Sequence, residues 1–310
     1  MAVPERLFAN RILRAALSEI LPSERFLSFN LWYNYDNLLL FLQELILFAA
    51  TQLIGVFVAL KSSQIVQEQD ISLDLTIGQI IFFLAFFTAF IYFLNKFSHK
   101  SGGFFRLILG LAIFAGSQTV FSIIFNNAIF SMSAAIILVI AVFKKRVVFL
   151  HNIGIILAMA GIGAVLGLSL TPVSVVVLLL ILSFYDIVAV YKTGHMVKIA
   201  EDMIKSRAIS GIVLPQNRKG WSANLARVRP GGEYMILGSG DLIMPLILIS
   251  SVIGIHGLAS GLVVLFFSLL GLSLTYYLFV SQRTRRPMAA LPPIAAMSIV
   301  GYLIATFFNF

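Results

Sequence analysis

Long unbroken apolar runs, rather than polar–apolar alternation, organise the chain. Nine of them stand out, at residues 38–60, 75–94, 104–125, 126–143, 150–170, 173–191, 234–256, 258–280 and 289–308. Each approaches the roughly 20 residues a helix needs to cross a bilayer, with the fourth the shortest. Ahead of the first run, Leu13, Leu17, Ile20 and Leu21 recur at helical spacing between Arg11, Arg14, Ser18 and Glu19, and Pro22 ends the pattern. That is the signature of an amphipathic helix lying in the membrane interface. Residues 192–233 are polar and basic, with Gly211, Gly220, Gly231 and Gly232, and read as a solvated connector. The expected organisation is an interfacial segment over 1–37, six transmembrane helices over 38–191, a connecting loop over 192–233 and three more helices over 234–310. The predicted fold class is an all-α membrane protein of nine transmembrane helices.

Composition agrees. Hydrophobic residues make up 60% of the 310 and charged residues only 11%, against about 25% in soluble domains. So few charges could not cover a water-exposed surface. The N-terminus lacks the short apolar core and small-residue site of a cleavable signal peptide. There is no cysteine, which excludes disulfides and thiol chemistry. The net charge of +9 follows the bias of Lys and Arg toward cytoplasmic loops rather than a nucleic-acid surface. With nine spans and the N-terminus inside, every one of the 22 Lys and Arg residues except Lys61 falls on the cytoplasmic side, and Lys61 lies near Glu68, Asp70 and Asp74. A wrong span count would scramble this pattern. The expected topology has the N-terminus and the 192–233 loop in the cytoplasm and the C-terminus outside.

Charges within spans are costly and are usually functional. Three carboxylates fall in the apolar runs: Glu44, Asp186 and Asp241. Asp186 sits six residues before Lys192, and Asp241 eight after Glu233. At a helical rise of about 1.5 Å per residue they lie about 9 and 12 Å from the same membrane face. Two carboxylates at matched depth in a low-dielectric site share a proton. The ionised one can then take a proton from water while the neutral one protonates a carbonyl oxygen, which is peptide hydrolysis by paired acids. Gly238 and Gly240 clear side chains just before Asp241 and admit another backbone. Glu44, beside Gln43, is expected to reach the interface or pair locally. His99, His151, His195 and His256 are scattered through loops and span ends without a His-Glu-x-x-His, so no zinc site is expected. No metal or organic cofactor is implied. The glycines of the fifth and eighth runs, Gly154, Gly161, Gly163 and Gly167 and then Gly261 and Gly271, with Gly254 and Gly257 at the junction before the latter, read as helix-packing positions.

Tyr185-Asp186 at the end of the sixth run, Gly238-Ser239-Gly240-Asp241 early in the seventh, and Ala289-Ala290-Leu291-Pro292 at the start of the ninth together resemble the presenilin and signal peptide peptidase family of intramembrane aspartyl proteases. The third motif departs from the family's Pro-Ala-Leu, with Ala289 where proline is expected and Pro287 two residues earlier. The resemblance implies that Asp186 and Asp241 are the catalytic pair, that Tyr185, Gly238 and Gly240 shape the site, and that Ala289, Ala290, Leu291 and Pro292 contact substrate. The substrates implied are transmembrane helices of other proteins, cut from the cytoplasmic side as in the presenilin branch. Presenilin works with accessory subunits and is cut in its own long loop; both are open for this chain. A proline-broken segment at membrane depth must line a cavity or be buried in protein, and it could hold an extended substrate by strand addition. The rival reading is a proton- or ion-coupled transporter using the same paired acids. Such carriers usually carry internal repeats, and this sequence has none.

Overall fold

The computed structural model describes residues 35–68, 78–79, 101–192, 203–204, 208–228, 234–282 and 287–308. The interfacial helix expected before residue 35 and the span expected at 75–94 lie outside the described residues. The helices are α1 (Tyr35–Glu68), α2 (Ser101–Phe125), α3 (Ala128–Lys145), α4 (Val148–Leu168), α5 (Pro172–Ile187), α6 (Ser239–Val280) and α7 (Leu291–Phe307), and two strands, β1 (Gly211–Pro215) and β2 (Tyr234–Gly238), lie between α5 and α6. Among the described residues, six helical segments are long and apolar enough to cross a membrane, and α7 is a shorter apolar helix.

Local sequence explains the breaks. Asn127 caps α3, its side chain accepting from the Ile129 and Phe130 N–H groups at 3.0 and 3.3 Å. Thr171 caps α5, and Pro172 occupies the first helical position, where its missing N–H costs nothing. Gly257 was expected to pack helices together. It instead turns the chain: its φ of 87° breaks α6 into two arms, a conformation open to glycine and strained for other residues. The arms fold back side by side, because a Cβ on Gly261 would meet Ile253 at 2.3 Å. The expected runs at 234–256 and 258–280 thus correspond to the two arms of α6.

The helix α4 is the hub, with buried residues on all sides. Its glycines do what their spacing suggests. A Cβ on Gly161 would lie 2.1 Å from the Gly116 carbonyl oxygen of α2, and one on Gly167 2.5 Å from the Ile247 carbonyl oxygen of α6. On the α1 side, Gly55 gives way to Leu246 of α6. These contacts bring backbones together in the manner small residues allow in membranes. Helix α3 by contrast is peripheral, presenting Met132, Ile136, Ile137 and Ile140 outward, as expected of a helix against lipid.

The two-stranded sheet corrects two expectations. Residues 234–238 were read as the start of a helix, and 192–233 as a solvated connector. Instead β2 pairs antiparallel with β1, Gly211 opposite Gly238 and Pro215 opposite Tyr234. A five-residue apolar run bounded by glycine or proline is ambiguous between strand and helix by periodicity alone, and Gly238 and Gly240 stop the α6 pattern from extending backward. Nor is the connector fully solvated: Ala208, Ile209, Leu225, Val228 and all of β1 are buried.

β1 is held by α4. The Asn152 side chain donates to the Val213 carbonyl at 2.7 Å and accepts from the Val213 N–H at 2.9 Å. His151 Nε2 meets the Gly211 carbonyl oxygen at 3.0 Å. One carboxamide thus replaces a neighbouring strand. We expect Asn152→Ala to leave both Val213 groups buried and unpaired, costing about 1–3 kcal/mol. The check is a lower thermal midpoint of the purified protein together with faster cleavage of residues 211–228 by added protease.

Candidate active site

Three departures from regular helix meet at one end of the bundle. The first follows Asp186, where α5 widens into a π-type turn over Val188–Lys192; such turns recur at functional sites. Asp186 itself is only 7% exposed. The second is β2, which ends three residues before Asp241. The third is the non-helical stretch at 287–290 that enters α7.

Each aspartate is held by one backbone donor. The Leu291 N–H donates to the Asp186 carboxylate. Leu291 is the first residue of α7, where N–H groups have no partner within the helix, and Pro292 and Pro293 supply no N–H of their own. The Leu291 N–H is therefore an available donor, and the next in sequence belongs to Ile294. The Gly238 N–H donates to the Asp241 carboxylate, and that carboxylate folds so closely over Gly238 that a Cβ there would lie 3.0 Å from its oxygen. Asp241 lies within charge–charge range of Asp186. The depth expected for Asp241 assumed eight helical residues after Glu233. It is in fact the third residue of α6, preceded by a strand, whose rise per residue is about twice a helix's.

The register of the sheet sets the direction of β2's backbone. Asn152 occupies the Val213 N–H and carbonyl on the side of β1 away from β2, so Val213 and Ile236 form a non-hydrogen-bonded pair. Alternation along an antiparallel ladder then turns the N–H and carbonyl of Ile236 away from β1. β2 is also the less buried strand. Its outer edge runs toward Asp241.

Of the other sequence-derived positions, Tyr185 is partly buried next to Asp186, and Gly240 is exposed with nothing within 4 Å of a would-be Cβ. Ala289 and Leu291 are buried, Ala290 and Pro292 partly so. The Thr275 hydroxyl donates to the Gly271 carbonyl at 2.9 Å and reaches the Ala290 carbonyl at 3.4 Å. That anchors the segment before α7 to the second arm of α6. Among the described residues, no three His, Asp or Glu side chains are arranged to hold a metal ion.

Glu44 corrects another expectation. It does not reach the interface: it is 2% exposed, and its Oε2 has no hydrogen-bond partner among the described residues. It lies within charge–charge range of Asp241. Two turns along α1, the Gln52 side chain donates to the Leu242 carbonyl at 3.0 Å. The polar face of α1 is thus pressed against the start of α6. Polar residues at i and i+8 in a largely apolar run are the signal that marks this face, as is the His151–Asn152 pair at the start of α4.

The signal-peptide peptidase, presenilin aspartyl protease family matches the chain over residues 43–309. The chain belongs to that family. It is an integral multi-pass membrane protein and an intramembrane aspartic protease. Solved structures agree at the level of fold. A presenilin family intramembrane aspartate protease in a C222 crystal form superposes with a TM-score of 0.60 at 21% identity, covering 86% of this chain and 99% of that one. A presenilin family intramembrane aspartate protease in a P2 form gives 0.57 at 22% identity, covering 84% and 96%. Among curated proteins none matches. Nothing in the family or the fold favours the transporter reading.

The two glycines of the family motif differ in surroundings, and this separates their roles. We expect Gly238→Ala to push the Asp241 carboxylate off its backbone donor and lower kcat by about tenfold or more, the scale of a misplacement of about 1 Å or less in an active site. Gly240→Ala fits without a clash, and its effect should fall mainly on KM. Steady-state kinetics of both variants on one substrate checks the split.

Proposed function

We propose that Asp186 and Asp241 are the catalytic pair of a protease that hydrolyses peptide bonds within or near transmembrane segments of other membrane proteins. The observation that carries this reading is the meeting of the two carboxylates, each held by one backbone N–H from a non-helical break, at the end of an apolar bundle. In the reaction one carboxylate is ionised and its partner carries the proton. The ionised acid removes a proton from water as the water oxygen bonds to the scissile carbonyl carbon. The neutral acid gives its proton to the carbonyl oxygen. The resulting tetrahedral diol collapses: one of its hydroxyls returns a proton to the second acid as the C–N bond breaks, and the first acid gives its proton to the departing amine, which restores the dyad with one shared proton. The pair titrates as a unit, so neither residue owns the acid role.

A helical substrate hides its carbonyls in hydrogen bonds, so it must unwind before attack. The outer edge of β2 suits the unwound segment: an added strand would pair with the Ile236 backbone and run toward Asp241. The open space at Gly240 leaves room for that strand, and Ala289, Ala290, Leu291 and Pro292 contribute the facing wall, with Tyr185 beside it. Strand addition, expected from the sequence near the ninth run, is thus better served by β2. The charge bias of the loops supports a cytoplasmic N-terminus and 192–233 connection, and so a cut site approached from that side.

Purified protein in lipid should cleave a single-span test substrate, and Asp186→Ala and Asp241→Ala should each lower the rate by a factor of at least about 10²–10⁴, the usual contribution of a positioned acid or base. The parent rate should peak at or below neutral pH and decline at alkaline pH, where the shared proton is lost. A rate still climbing at alkaline pH, or undiminished cleavage in either variant prepared free of other proteases, would sink the assignment. Ion or proton flux in vesicles, with no cleavage of any of several substrates, would favour the carrier.

A further inference from the structure

A dense set of cations lies at the end of the bundle where α3 meets α4, and the catalytic reading does not use it. Lys144, Lys145, Arg218, Lys219 and Arg227 are exposed, and Arg146 is partly so. They come from two segments more than 70 residues apart in sequence. Backbone bonds lock those segments together: Leu225 N–H donates to the Arg146 carbonyl at 2.8 Å, and Val148 N–H to the Ala223 carbonyl at 3.1 Å. The rings of Phe149 and Trp221 meet edge to face at 6.4 Å beside them. No acidic residue occurs anywhere in residues 126–185 or 203–232. The carboxylates of Glu44, Asp186 and Asp241 belong to the other cluster. The positive charge is therefore not neutralised within these segments.

A bias toward basic loops explains cations on one side of a membrane. It does not explain why they are gathered on a fixed surface, built where Arg146 caps the end of α3 in the left-handed conformation with its N–H on the Val142 carbonyl. The neighbouring surface points to an occupant. Met132, Ile136 and Ile140 are exposed at successive four-residue steps along α3, and the next step is Lys144. Residues four apart share one helix face. An apolar stripe suited to an acyl chain thus ends at a cation suited to a phosphate, with Trp221 and Phe149 where aromatic rings gather at a membrane interface.

We propose that Lys144, Lys145 and Arg146, with Arg218, Lys219 and Arg227 of the β1–β2 connection, bind the head group of an anionic phospholipid whose acyl chains lie along the outer face of α3. The lipid joins the α3–α4 turn to the connection that carries β2, and so braces the strand leading to Asp241. Recognition is by charge and by the chain-and-head-group geometry of a lipid. It does not depend on the proteolytic reading, and it is read without any substrate.

The test uses the full chain, purified from mixed micelles holding equal phosphatidylglycerol and phosphatidylcholine, with the co-purifying lipids counted by mass spectrometry. The parent should retain phosphatidylglycerol over phosphatidylcholine by at least about fivefold, the effect of roughly one cation near a lipid surface, and the preference should shrink as sodium chloride is raised. K144A/K145A/R218A/K219A should bring the ratio to that of the bulk micelle. K144R/K145R/K219R keeps every charge and should keep the preference, which separates loss of charge from loss of fold. The proposal fails if the parent holds the two lipids in their bulk ratio, if the alanine variant retains the parent's preference, if salt leaves the preference unchanged, or if the arginine variant loses it. Cleavage activity is measured on the same preparations. Absent cleavage with an intact lipid preference would count against the protease reading alone.

Discussion

Backbone polar groups away from water must find partners within the protein, and this constraint governs where the bundle departs from helix. A regular helix satisfies its own backbone. Each departure releases N–H and carbonyl groups that something else must take up. In this chain those groups are taken up by a handful of polar contacts. Asn152 and His151 satisfy the far edge of β1. The Thr275 hydroxyl reaches the Ala290 carbonyl. The Leu291 and Gly238 N–H groups go to Asp186 and Asp241. The two aspartates are thus acceptors for the very donors that the breaks set free. The site and the irregular backbone are one structure: moving either aspartate would leave an orphan donor as well as remove a carboxylate.

The hub helix α4 links that site to the packing of the bundle. Its glycines let α2 and α6 approach to backbone contact, while the polar pair at its first turn reaches up to hold β1. A shift of α4 would therefore disturb both the helix spacing and the strand that ends beside Asp241. Lipid cannot drive helices together through the hydrophobic effect, because its tails are as apolar as the side chains. Close packing at Gly116, Gly161 and Gly167 and specific hydrogen bonds such as that of Gln52 to Leu242 have to supply the cohesion. This accounts for polar residues in positions where an apolar one would partition more readily.

The sequence made much of this legible, because a bilayer-spanning helix needs a length of apolar residues that few other structures require. The runs at 38–60, 104–125, 126–143, 150–170 and 173–191 each correspond to one helix, and those at 234–256 and 258–280 to the arms of α6. The two aspartates stood out because a carboxylate in an apolar run is costly. The hairpin was not legible. Gly211–Pro215 and Tyr234–Gly238 are five-residue apolar strands, too short to carry a period, and the polar chain of residues 216–233 separates them. Glu44 was misjudged for a related reason. Its neighbours in sequence gave no sign that α6 begins against its face, and only the pairing of Glu44 with Gln52 two turns on hints at a shared partner. Gly257 looked like the packing glycines around it because composition does not reveal φ.

The arrangement also limits how a substrate can reach the acids. Asp186 is nearly enclosed, and its donor comes from the first residue of α7. Asp241 lies at the end of a strand whose inner edge is already occupied by β1. Among the described residues, the approach with an unused backbone edge is the outer side of β2. An intact helix cannot pair with that edge, because its N–H and carbonyl groups are already bonded to each other. An extended segment can, and it gains there the hydrogen bonds it lost on unwinding. The cost of opening a substrate helix is then offset at the place where the cut is made. Selection would act on how readily a segment unwinds and on its fit beside Gly240, more than on any single side chain at the scissile bond.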